Sequence, residues 1–145
     1  MDKKKILVVD DDQDLVKALR VRLRAQNYAT LFAIDAVSAI SQAKSESPDL
    51  IILDLGLPAG DGFVVMERLN NVDSLAAIPI IVLSARDAQA NKERALKAGA
   101  KAFFQKPADN DELMAAIERT LTESTQEKAS SGAVTVESKV KKGST

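Results

Sequence analysis

Four branched apolar residues in succession, Leu50-Ile51-Ile52-Leu53, stand between Pro48 and the breakers Gly56-Leu57-Pro58. A solid run of that length, stopped on both sides, predicts a strand covered on both faces, as in the middle of a parallel sheet. The run ends on Asp54. The carboxyl end of such a strand is where open α/β sheets hold their ligands. A carboxylate left unpaired beside so much apolar surface is costly, so the chain must supply partners for it.

Other runs of strand length recur along the chain. Lys5-Ile6-Leu7-Val8-Val9 is stopped by Asp10-Asp11-Asp12, and Ile78-Pro79-Ile80-Ile81-Val82-Leu83 by Ser84-Ala85. Tyr28 to Ile34 and Lys101 to Phe104 read as two further strands, the last ended by Lys106-Pro107. Between them lie helical periods: Leu15, Ala18, Leu19 and Leu23; Ala36, Val37, Ala39, Ile40 and Ala43; Val65, Met66 and Leu69; and a weak Ala-rich helix from about Gln89 to Lys97. Ser47-Pro48 closes the second helix, since a residue before proline is steered out of helix. Gly60-Asp61-Gly62 supplies a turn before the third, and Gly99 a C-terminal cap for the fourth. Asp109 with Glu112 opens a final helix that buries Leu113, Ala116, Ile117 and Leu121. Strict β-α alternation with solid apolar strands predicts a doubly wound five-stranded parallel sheet, helices on both faces, in the flavodoxin-like order 2-1-3-4-5. Residues 1–122 form this domain in the reading. From Glu123 to Thr145 the composition turns polar, and a disordered tail is expected.

Composition narrows the chemistry. The chain has neither cysteine nor histidine. That removes thiolate nucleophiles, zinc–sulfur sites and every imidazole-dependent base or couple. A net charge of -1 gives no general attraction to nucleic acid or anionic membrane. After Met1-Asp2-Lys3-Lys4-Lys5 only four apolar residues follow, too few for a signal or a membrane span, and the expected location is cytoplasmic.

On the predicted topology Asp10, Asp11, Asp54, Ser84 and Lys106 all fall at one edge of the sheet, with the acids at the switch point between strands 1 and 3. Acids so close repel one another unless a cation sits among them. Oxygen ligands at an open edge suit Mg²⁺, with a phosphate completing its shell. Lys106 offers the phosphate a second positive point, and the Ser84 hydroxyl a hydrogen bond. Of the two candidate nucleophiles, Ser84 lacks a histidine base, whereas a carboxylate such as Asp54 needs none at neutral pH. The arrangement points to phosphoryl transfer onto Asp54.

Together, Ile6-Leu7-Val8-Val9-Asp10-Asp11, Asp49 through Leu55, Leu57-Pro58, Asp61-Gly62, Ser84-Ala85, Gly99-Ala100 and Lys106-Pro107 resemble a two-component response-regulator receiver domain, over roughly residues 4–122. The resemblance implies Asp54 as phosphoacceptor and Asp11 as a direct Mg²⁺ ligand, with Asp10 acting mostly through water and the Gly56 backbone carbonyl completing the set. It implies that Ser84 and Lys106 hold the phosphoryl group, that the Lys106–Pro107 bond is cis, and that Phe103 is the aromatic switch. It implies a sensor histidine kinase or histidine phosphotransfer protein as donor and an unidentified downstream protein as target. The signal would travel over the surface of the fourth and fifth strands and the helices after them, with a homodimer on phosphorylation. Such a protein is a switch and not an enzyme in the usual sense, catalysing only its own phosphorylation and dephosphorylation. Two residues depart from the commonest pattern: Phe103 replaces tyrosine, and Gly56 replaces a larger residue, leaving a phosphoryl group on Asp54 less shielded.

Each residue alone has a duller explanation. Asp10 to Asp12 and Ser84 could cap helices, Lys106 could be a solvated lysine before a turn, and Phe103 could be core. Their coincidence at one edge outweighs those readings. A flavin or nucleotide binder would want a Gly/Ser/Thr-rich loop after strand 1, where three aspartates stand. An aspartate-nucleophile phosphatase would want an acid where Gly56 stands. A receiver-like docking module that never becomes phosphorylated is the remaining alternative, and the intact set of polar residues argues against it. The polar segment after residue 122 is too short for a DNA-binding domain, so the expectation is a stand-alone receiver or one cut from a longer protein.

Overall fold

A computed structural model describes residues 3–57 and 61–134, with side chains as far as Gln126. Pro58 and Gly60, read above as turn residues, lie outside the described residues, as does the end of the expected tail. The strands are β1 (Lys5–Val9), β2 (Ala29–Ala33), β3 (Leu50–Leu53), β4 (Ile80–Ser84) and β5 (Ala102–Gln105). They form one sheet in the order β2-β1-β3-β4-β5, with every neighbouring pair parallel. The helices are α1 (Gln13–Ala25), α2 (Ala36–Glu46), α3 (Gly62–Asn70), α4 (Asp73–Ala76), α5 (Ala88–Lys97) and α6 (Asn110–Val134).

Alternate strand residues feed two aliphatic cores. Leu7, Val9, Ile51, Leu53 and Val82 meet α2, α3 and α5 on one face. Ile6, Val8, Leu50, Ile52, Ile81 and Leu83 meet α1 and α6 on the other. The central strands β1, β3 and β4, covered on both sides, bury every side chain but that of Lys5, and each fully buried branched residue contributes about 1.5–3 kcal/mol. The buried face of α2 is Ala36, Ala39 and Ala43, small enough to bring the helix close to the sheet.

Helix boundaries follow local chemistry. Asp12 caps α1 by accepting the N–H groups of Asp14 and Leu15, Asp35 caps α2 through Ser38, and Asp61 caps α3 through Phe63. Ser47, before Pro48, ends α2 in the left-handed region at φ 48°. Gly99, at φ 112°, ends α5: its N–H donates to the Leu96 carbonyl and that of Ala100 to Ala95, the paired bonds of a Schellman cap.

Three expectations need correction. α4, between α3 and β4, was not foreseen; it is four residues long and has no side-chain cap to announce it. In α1 the buried stripe is Val16, Leu19 and Leu23, while Leu15 is half-buried and Ala18 exposed. In the same way Val37 of α2 points to solvent, 73% exposed. Finally, helix α6 continues through residues 123–134, which the sequence reading assigned to a disordered tail. A helix already docked by Leu113, Ala116, Ile117 and Leu121 is past its costly nucleation, so polar helix formers extend it without a core of their own.

Candidate functional site

The carboxyl ends of β1 and β3 place two aspartates side by side. The Asp10 N–H donates to the Ala33 carbonyl and the Asp54 N–H to the Val9 carbonyl, each at 3.0 Å, so both residues continue the sheet's hydrogen bonding one step past the strands. That step is the switch point, where the connections from β1 and β3 leave in opposite directions. Both side chains are buried: Asp10 is 2% exposed and Asp54 7%. Asp11 beside them is exposed. One carboxylate oxygen from each of Asp10, Asp11 and Asp54 falls within 4.8 Å of the others.

Lys106 reaches in from the end of β5. Its N–H donates to the Ser84 carbonyl at 2.8 Å, joining the two strand ends, and the Lys106–Pro107 peptide is cis. The Nζ lies 2.9 Å from Asp10 Oδ2 and 3.7 Å from Asp54 Oδ2. The remaining carboxylate oxygens have backbone partners: Asp12 N–H donates to Asp10 Oδ1 at 2.9 Å, and Gly56 N–H to Asp54 Oδ1 at 3.1 Å. Burial pushes the Asp10 carboxyl above its ordinary value, and the Asp54 charge adds to that push, against the Asp12 hydrogen bond and the Lys106 ammonium. Burial would pull Lys106 down. The hydrogen bond and charge of Asp10, with the charges of Asp54 and Asp12, outweigh it and raise the lysine instead.

Ser84 ends β4 fully buried, and its Oγ accepts the Arg86 N–H at 3.2 Å. Gly56 is exposed, and a Cβ built there would come no nearer than 3.9 Å to Asp54 Oδ1, so the space beside that carboxylate is open. Phe103 on β5 is half-buried and packs on the core shared with α5. An apolar groove borders Lys106 on the same edge, lined by Leu15, Leu19, Leu83, Pro107, Ala108 and Leu113 among others. Asp10, Asp11 and Asp54 therefore form one cluster that Lys106 joins through Asp10 and Asp54, with Ser84 tied to Lys106 through the β4–β5 backbone and Phe103 further along β5.

Two contacts were not foreseen. Arg86 Nη1 meets Asp61 Oδ2 at 3.1 Å, and the Arg94 guanidinium lies 3.7 Å from the centre of the Phe63 ring. An arginine in a loop reads as solvated, and nothing in its spacing names an acid 25 positions away.

The model of the response regulator receiver domain matches residues 6–118. The chain belongs to the response-regulator receiver family. The receiver is 36% identical over 118 residues to the response regulator PleD of Caulobacter vibrioides, covering 81% of this chain and 26% of PleD. It spans about a quarter to about a half of the length of the curated relatives it matches. It superposes with a TM-score of 0.81 on a CheY-like receiver from Methanospirillum hungatei at 25% identity, covering 87% of this chain and 99% of that one. With the receiver domain of the sensor histidine kinase PA1611 from Pseudomonas aeruginosa, crystallised with a magnesium ion coordinated in its active-site cleft, the TM-score is 0.76 at 26% identity, covering 83% and 99%. The receiver is a two-component signalling domain. Among the described residues no helix is long and apolar enough to cross a membrane.

Proposed function

We propose that this receiver is a phosphorylation switch that takes a phosphoryl group onto Asp54 from a phosphohistidine of a sensor histidine kinase or histidine phosphotransfer protein. The observation that carries the reading is the company of Asp54: two further carboxylates and one ammonium in a single cluster, with open space beside Gly56. An all-oxygen set of this kind fits Mg²⁺, and the crowding of negative charge on two buried acids and an exposed one gives a cation a reason to be there. Asp11 and Asp54, with Asp10 mostly through water and the Gly56 carbonyl, would hold the ion. When bound it would neutralise charge developing on the transferred group.

In the transfer, an Asp54 carboxylate oxygen attacks phosphorus in line with the leaving imidazole. The new O–P bond forms as the P–N bond breaks, its electron pair returns to the ring nitrogen, and that nitrogen takes up a proton from solvent. Lys106, now on Asp10, turns to the phosphoryl oxygens and supplies the positive charge they need. The Ser84 hydroxyl leaves the Arg86 N–H and donates to a phosphoryl oxygen, and Phe103 repacks behind it. Because β4, α5, β5 and the first turns of α6 adjoin these residues, that face changes with phosphorylation and is the surface for a target or a second copy. The apolar groove beside Lys106 gives the donor protein a dry contact next to the acceptor.

Incubation with phosphoramidate, a small P–N donor, and Mg²⁺ followed by intact mass tests the reading. One added phosphoryl group is expected, lost in Asp54→Asn and lost with EDTA. Labelling that survives in Asp54→Asn overturns it.

A further inference from the structure

The start of α3 is fixed to the acceptor strand. The Gly62 N–H donates to the Leu55 carbonyl at 3.0 Å. A Cβ on Gly62 would stand 2.6 Å from the Asp54 carbonyl oxygen and 2.7 Å from Leu55 Cα, so only a glycine lets the helix approach this closely. Asp61, the preceding residue, is held by its own cap, Oδ1 accepting the Phe63 N–H at 2.8 Å. Its second oxygen, Oδ2, takes the Arg86 guanidinium at 3.1 Å. Arg86 in turn donates its backbone N–H to Ser84 Oγ. A continuous chain of contacts therefore runs from the acceptor backbone through Gly62, Asp61 and Arg86 to the hydroxyl on β4. A second grip lies further along α5, where Arg94 covers the ring of Phe63. Both arginines, at either end of the loop and first turns of α5, hold one turn of α3.

We propose that Arg86 is a positioning residue whose ion pair with Asp61 latches the segment after Ser84 in the resting state, keeping the Ser84 hydroxyl on the Arg86 N–H and away from Asp54. The inference rests on Asp54 as phosphoacceptor. In the latch, the Ser84 Oγ turns from the Arg86 N–H toward the phosphoryl group, and the segment that carries Arg86 moves with it relative to α3. The ion pair opposes that movement. It is made through a single guanidinium nitrogen, and its side chains are 37% and 35% exposed. Such a pair is worth little, so it biases a two-state segment without freezing it, by about two- to fivefold in population.

The test measures the phosphorylation rate with phosphoramidate and Mg²⁺ in the unsubstituted chain, Asp61→Asn, Arg86→Gln, the double variant, and Arg86→Gln in a Ser84→Ala background. Asparagine keeps the cap on Phe63 while losing the charge, so α3 stays intact. Each single variant is expected to label about two- to fivefold faster, the double variant no faster than either, and Arg86→Gln to have no effect once Ser84 is alanine. A loss of packing alone would not depend on Ser84. Slower labelling in Arg86→Gln, additive effects of the two substitutions, or an effect that persists without the Ser84 hydroxyl each overturns the latch while leaving the acceptor reading in place. An unsubstituted chain that gains no phosphoryl group overturns the acceptor reading and the latch with it.

Discussion

Lys106 stands nearer to Asp10, at 2.9 Å, than to Asp54, at 3.7 Å, so one ammonium answers for two buried carboxylates and the second is left partly uncompensated. Two predictions follow from that imbalance. Asp54→Asn keeps an oxygen for the Gly56 N–H and removes the like charge, so it should stabilise the metal-free fold by about 1 kcal/mol, a rise in Tm of roughly 3–4 °C for a domain of this size. A thermal scan showing a lower Tm would contradict the crowded-acid picture. The Asp10 carboxyl is held above its ordinary value of 3.8. The folded chain therefore keeps a proton that the unfolded chain has released, and its contribution to stability falls as pH rises from 3.8 through the raised value. Lys106 is held above 10.5, so its stabilisation is complete below that pH and is lost as pH rises through the raised value. Urea unfolding against pH should show both slopes, and Asp10→Asn should flatten the acidic one. At this scale Asp10, Asp54 and Lys106 were legible in the sequence, because the end of each apolar run marks the same sheet edge. Arg86 and Asp61 were not: their pairing depends on how closely α3 approaches the β4–α5 loop, which no periodicity reports.

The elements show why that approach is so close. Gly62 lets the first turn of α3 rest on the backbone of Asp54 and Leu55. Gly62→Ala should cost about 1–3 kcal/mol, because the atoms its Cβ meets are main chain that cannot swing aside. It should also slow phosphorylation, since the helix and the acceptor must separate. Chemical denaturation and the labelling rate would check the two effects, and a Gly62→Ala protein unchanged in both would show that the contact does not constrain Asp54. Strands were readable as solid apolar runs because burial on both faces leaves no alternation to interpret. Helices were readable in position and less so in facing. In α1 apolar residues at 15, 16, 18, 19 and 23 cover more of the surface than the sheet can bury, and packing chose Val16, Leu19 and Leu23. The length of α6 was misjudged because hydrophobic content decides whether a segment docks, whereas propensity decides how far a docked helix runs on.

At the level of the whole molecule, two aliphatic layers clamp a parallel sheet whose carboxyl edge gathers residues from positions 10 to 106. The rigid sheet, β4 and β5 included, fixes the acceptor, while the loop between β4 and α5 is tied to Ser84 and to α3 by the polar contacts of Arg86. In the proposed switch, a rigid acceptor beside a loop held by a few polar contacts would let one covalent event change the surface. The claim on which everything turns is that Asp54 itself carries the group. Phosphorylated chain reduced with sodium borohydride, digested and sequenced by mass spectrometry tests it directly, because an acyl phosphate is reduced to the alcohol whereas a phosphate ester is not. Homoserine at position 54 is the predicted result. Homoserine at position 10 or 11, or a borohydride-resistant phosphate on Ser84, would contradict the account.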